Sequence, residues 1–79
     1  MAERKLHAIV ARALKVAEAS ISDASSPETL PRWNSLRHLD LMNAIEDAYG
    51  VRFSTAEIVR ARSVGDIRQL LLEKGIGVD

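Results

Sequence analysis

Apolar residues in this chain recur at helical spacing, and over no useful length at strand spacing. Leu6, Ile9, Val10, Ala13, Leu14 and Ala17 fall at i, i+3, i+4, i+7, i+8 and i+11, one stripe of an α-helix. The nearest approach to period two, Val51-Arg52-Phe53, is too short for a strand. The pattern directs the chain to an all-α fold, and its 79 residues make a single domain, 1–79. A core of that size confers modest stability. Without cysteine the chain has neither a disulfide framework nor a thiolate metal site.

The stripe predicts a first helix over about 4–19. Arg4, Lys5, Arg12 and Lys15 make this segment basic and amphipathic, but Glu3 and Glu18 are foreign to a transit peptide, so it reads as part of the fold. Ser20–Asn34 loses the helical period and carries Pro27 and Pro31, which push the residues before them out of the α region. It is a long loop, pinned to the core by Ile21, Leu30 and Trp33. Asn34 is a good N-cap for a second helix over 35–49, where Leu41, Ile45 and Tyr49 share a face widened by Met42, Ala44 and Ala48. Gly50 stops that helix. Ser54-Thr55-Ala56-Glu57 is a capping box opening a short third helix over 55–61, and Ser63-Val64-Gly65-Asp66 opens a fourth over 64–74. Residues 75–79 read as a loose tail. The expected architecture is a four-helix bundle with a long loop between helices one and two and a short third helix.

Several chemistries find little support. Eleven basic residues balance eleven acidic ones, whereas a phosphate-backbone binder needs excess Lys and Arg. Arg52, Arg60 and Arg62 cluster near the third helix, but Glu57 interrupts them, so a helical nucleic-acid binder is a remote alternative. No apolar run approaches the roughly 20 residues that cross a bilayer. His7 and His38, the only histidines, have no metal-ligand partners at a recognisable spacing and read as two solvated side chains, with no metal site. Ser35, His38 and Asp40 do not make a hydrolytic triad, because Asp40 lies about 140° around the helix from Ser35 and is badly placed to orient His38.

Ser35 is the residue of interest. Asn34 already caps the helix, so the Ser35 hydroxyl is free to project at the end of the long loop. A helix N-terminus presents orphan N–H groups and the positive end of a dipole, which suits a phosphate ester. Leu36 follows as an apolar neighbour.

Trp33-Asn34-Ser35-Leu36, Leu39-Asp40-Leu41-Met42 and Ala44-Ile45-Glu46-Asp47-Ala48-Tyr49-Gly50-Val51 together resemble the acyl and peptidyl carrier proteins of biosynthetic assembly lines. Those carry Asp-Ser-Leu at the head of their second helix and close that helix with Glu-x-x-Φ-Gly-Val/Ile. Phe53-Ser54, Glu57-Ile58 and Ser63-Val64-Gly65-Asp66-Ile67 extend the likeness, which covers about residues 5–74. The resemblance implies a four-helix carrier fold and a 4'-phosphopantetheine arm, taken from coenzyme A by a phosphopantetheinyl transferase and attached to Ser35. It implies a non-catalytic carrier of acyl or aminoacyl groups, held as thioesters, in fatty-acid, polyketide or nonribosomal synthesis. The cofactor would supply the sulfur that a cysteine-free chain lacks. Partners implied are acyl or aminoacyl ligases and synthase or transferase enzymes, met through Asn34, Leu36, Arg37, Asp40, Glu46 and Asp47. Leu39, Met42, Ile58 and Ala61 are candidates for an acyl pocket between helices two and three, or else only fill the core. A monomeric, cytoplasmic, freestanding protein is expected. The alternative is a carrier-like interaction module that is never modified.

Two departures mark the chain as specialised. Asn34 stands where the family has an acid, which removes a charge a transferase could read. Arg37 and His38 stand where acids are usual. These two residues exclude some basic partner surfaces by like charge, while residues 35–50 keep three acids against one base, between basic neighbours on both sides.

Overall fold

A computed structural model describes residues 5–77 and, among them, four α-helices and no strand. These are α1 (Lys5–Leu14), α2 (Ser35–Tyr49), α3 (Thr55–Arg60) and α4 (Val64–Glu73), with a short 3-10 turn at Glu18–Ser20.

Side-chain caps set three of the four starts. The Asn34 side chain accepts the Arg37 N–H at 2.9 Å. Ser54 accepts the Glu57 N–H at 3.1 Å, and Glu57 returns to the Ser54 N–H at 2.8 Å, a complete capping box. Ser63 accepts the Asp66 N–H at 3.1 Å, but the Asp66 carboxylate reaches the Arg62 N–H one residue further back.

The end of α1 corrects the sequence-based expectation of a helix through Ala19. Lys15 has φ 60°, its N–H bonds the Arg12 carbonyl, and the Val16 N–H bonds the Ala11 carbonyl at 3.0 Å. This pair of bonds is a Schellman closure built on lysine rather than glycine. The expected start at Arg4 lies outside the described residues. Gly50 (φ 67°) ends α2 as expected. Gly75 (φ 81°) ends α4, and the Ile76 N–H returns to the Leu71 carbonyl at 2.9 Å. Ile76 packs against the core, so the expected loose tail does not begin at residue 75; Val78 and Asp79 lie outside the described residues.

The core joins all the helices and the loop. Leu6, Val10 and Leu14 of α1, Leu41 and Ile45 of α2, and Val64, Ile67 and Leu71 of α4 are fully buried. The long loop contributes Ile21 and Trp33, both buried, and half-buried Leu30. It is further tied down by its backbone. The carbonyls of Asp23 and Ser25 accept the Gly65 and Val64 N–H groups at 2.9 and 3.0 Å, satisfying donors that the first turn of α4 would otherwise leave unpaired.

Both histidines correct the expectation of solvated side chains. His7, 8% exposed, bonds Asp23 at 2.9 Å through Nε2, and Arg68 of α4 grips the same carboxylate at 3.1 and 3.2 Å. This network draws α1, the loop and α4 together. It holds the Asp23 carboxyl below its ordinary value of 3.8, chiefly through the hydrogen bond from His7 and then that from Arg68. His38 is half-buried at the end of α2 nearest the loop.

Candidate functional site

The N-terminus of α2 is where the loop, α2 and α3 converge. Ser35 is its first residue and is exposed. Asn34 carries the cap, so the Ser35 hydroxyl is left out of it. The other serines are committed elsewhere. Ser54 and Ser63 cap helices, Ser20 donates to the Ala17 carbonyl, and Ser22 and Ser25 accept loop N–H groups. Ser26 sits beside the Glu28 carboxylate and, after the Glu28 backbone itself, helps hold its pKa below the usual value. Ser35 therefore presents an exposed, uncommitted serine hydroxyl at the start of the long helix.

Beside it runs an open groove of about 580 Å³ between α2, α3 and the loop. Leu39, Ile58 and Val59 form its apolar walls, Trp33 and Ala61 lie at its floor, and Arg62 stands at its rim. Arg62 pairs with Glu28 at 3.3 Å; both are about two-thirds exposed, so the pair is screened and weak. Leu36, Leu39 and Val59 are 73%, 53% and 69% exposed, an apolar rim around Ser35.

His38 crosses between α2 and α3. Its Nδ1 accepts the indole N–H of Trp33 at 2.9 Å, and its Nε2 lies 2.8 Å from the Ile58 carbonyl oxygen. An indole N–H only donates and a carbonyl only accepts, so both bonds form with Nδ1 bare and Nε2 protonated. With both nitrogens engaged, the ring does not serve Ser35 as a general base, and the geometry lacks the nucleophile–base pair that hydrolytic chemistry requires. The described residues hold no cluster of three or more metal-ligating side chains. No helix among them is long and apolar enough to cross a membrane.

The structure brings together some of the residues singled out in the sequence and separates others. Leu39, Ile58 and Ala61 line the groove. Met42 does not; at 1% exposed it belongs to the core. Asn34, Leu36, Asp40 and Asp47 are exposed and Arg37 is half-buried. Glu46 turns inward, its carboxylate accepting the Phe53 N–H at 2.7 Å and fastening the turn between α2 and α3. Trp33, His38, Val59 and Arg62 of the groove were not singled out as lining residues. Only Val59 carried a local signal, as the apolar neighbour of Ile58 on a short helix.

Comparison with known families adds one finding. The family model described as a phosphopantetheine attachment site matches residues 4–71. A search of curated proteins returns no match.

Proposed function

The chain belongs to the phosphopantetheine attachment family, whose cofactor is 4'-phosphopantetheine, and from that premise we propose that Ser35 carries the arm and that the protein shuttles acyl or aminoacyl groups between enzymes. The observation that supports Ser35 is its uncommitted hydroxyl at the N-terminus of a fifteen-residue helix. When bound, the cofactor supplies a thiol able to hold a carboxylic acid as a thioester.

The residues around Ser35 have separable tasks in this reading. Ser35 Oγ would take the phosphopantetheine as the pyrophosphate bond of coenzyme A breaks, with adenosine 3',5'-bisphosphate leaving and the hydroxyl proton passing to the transferase. Asn34 keeps the first turn of α2 capped, so the orphan N–H groups and the positive dipole end face the new phosphate. Leu36, Leu39 and Val59 form the apolar patch that transferase and synthase enzymes cover, with Arg37, Asp40 and Asp47 setting charge complementarity at its edge. The arm confines its cargo near each partner and raises effective concentration. The protein itself performs no catalysis here, and a monomeric, cytoplasmic carrier is the form this reading takes.

Intact mass tests it. The protein is incubated with coenzyme A and a broad-specificity transferase. The expected result is a gain of one phosphopantetheine that is absent from Ser35→Ala. No gain with several transferases would leave the unmodified interaction module as the surviving reading.

A further inference from the structure

The Trp33–His38–Ile58 chain of hydrogen bonds lies across the cleft beside Ser35, where a group delivered on an arm would otherwise pass between α2 and α3. The His38 ring reaches from α2 to the Ile58 backbone at 2.8 Å. Trp33, 1% exposed, backs it from the loop, the two rings stacking at 5.9 Å between centroids and 27° between planes. Behind this bar the bundle is filled by Leu41, Met42 and Ile45, each at most 1% exposed. Among the described residues no buried side-chain nitrogen or oxygen lacks a partner, so displacing the bar strands the buried Trp33 indole N–H and leaves the Ile58 carbonyl only its 3.3 Å bond from the Ala61 N–H.

We propose that this bar seals the bundle against its own cargo: an acyl chain carried on Ser35 stays in the surface groove, and His38 is the positioning residue that sets the groove's depth. The inference rests on the carrier reading above. It assigns the protein to cargo whose chain is displayed rather than enclosed, so its length is read by partner enzymes and not by the carrier.

Thermal unfolding of the loaded protein tests this. The transferase is supplied with butanoyl-, octanoyl- and dodecanoyl-coenzyme A, and intact mass verifies each product. A sealed bundle leaves the chain in an open groove where each methylene is only partly covered, so Tm changes only slightly across the three chains. A chain that entered the core would add buried methylenes, raising Tm by on the order of 10 °C from butanoyl to octanoyl. Such a rise in a protein whose mass shows full loading overturns the seal and leaves the carrier reading standing. Failure to load overturns the carrier reading and this inference with it. His38→Ala removes the bar and is expected to make Tm climb with chain length. His38→Gln, whose amide can accept from Trp33 and donate to Ile58, restores the flat series. A variant that lowers Tm without introducing length dependence shows only a structural role for His38 and counts against the seal. Should His38→Ala not fold, the wild-type series alone decides. The indole N–H resonance of Trp33, the sole tryptophan, gives a second readout. Its exchange with solvent stays slow across the three chains if the indole N–H keeps its bond to His38, and quickens with chain length if the bar opens.

Discussion

Asp23 Oδ1 accepts a hydrogen bond from Nε2 of His7, 16 residues earlier in the chain, at 2.9 Å. The same carboxylate receives Arg68, and the hydrogen bonds from His7 first and Arg68 second keep its pKa below 3.8 in the folded protein. A depressed folded pKa contributes stability above the unfolded value, and that stability is lost as pH falls through the folded one. Asp23→Asn is therefore expected to be less stable than wild type at pH 6, with the difference shrinking as the pH falls below about 4, the ordinary aspartate value. Urea denaturation of both proteins at two pH values measures it; a difference that holds constant on acidification contradicts the network's role.

Ser35 and Asn34 are adjacent but carry different loads. Ser35→Ala removes an exposed hydroxyl with no structural bond, so stability is expected to stay within about 0.5 kcal/mol of wild type while modification disappears. Asn34→Ala removes the cap on α2 and is expected to cost about 1 kcal/mol, lowering Tm by about 4–8 °C. Differential scanning calorimetry with intact mass separates the two effects.

Lys15 holds a backbone conformation that a side chain disfavours, at φ 60°. Lys15→Gly is expected to stabilise the fold by about 0.5 kcal/mol, because relief of the left-handed penalty slightly exceeds the added unfolded-state entropy. The measurement is the urea midpoint at unchanged slope. A destabilised variant would show that the Lys15 side chain makes contacts that matter more than its φ.

Gly65 lets the loop touch the start of α4. A Cβ there would meet the Asp23 carbonyl oxygen at 3.2 Å, while the Gly65 N–H holds that same oxygen at 2.9 Å. Gly65→Val is expected to cost about 1–3 kcal/mol by forcing the two backbones apart. In that variant, hydrogen exchange should quicken first at the substituted position's own amide and at that of Val64, the two donors that hold the loop.

The parts of the fold legible in the sequence are those written in short-range chemistry. Asn34 and Gly50 bracket α2, and the Ser54–Glu57 box opens α3, because caps act over three or four residues. The end of α1 was hidden because a lysine occupies the position where glycine is the usual signal. The burial of the histidines is not legible in the sequence, because their partners, Asp23 and the Ile58 carbonyl, are brought to them only by tertiary packing. Glu46 looked like a surface acid because its acceptor role serves an amide seven residues on, beyond the helix that contains it. Leu39 and Met42 sit within one turn of each other, and only the packing of α3 and the loop decides that the first faces the groove and the second the core.

The joint between the long loop and α4 also governs how the protein reaches this state. Asp23 and Arg68 are 45 positions apart, and the first turn of α4 gains its last donors' partners only when the loop has arrived. A bundle of helices would otherwise assemble through local contacts. Here the start of α4 is completed only by contact with a segment far earlier in the chain, so the last hydrogen bonds of that helix are non-local and are expected to form after the helices themselves.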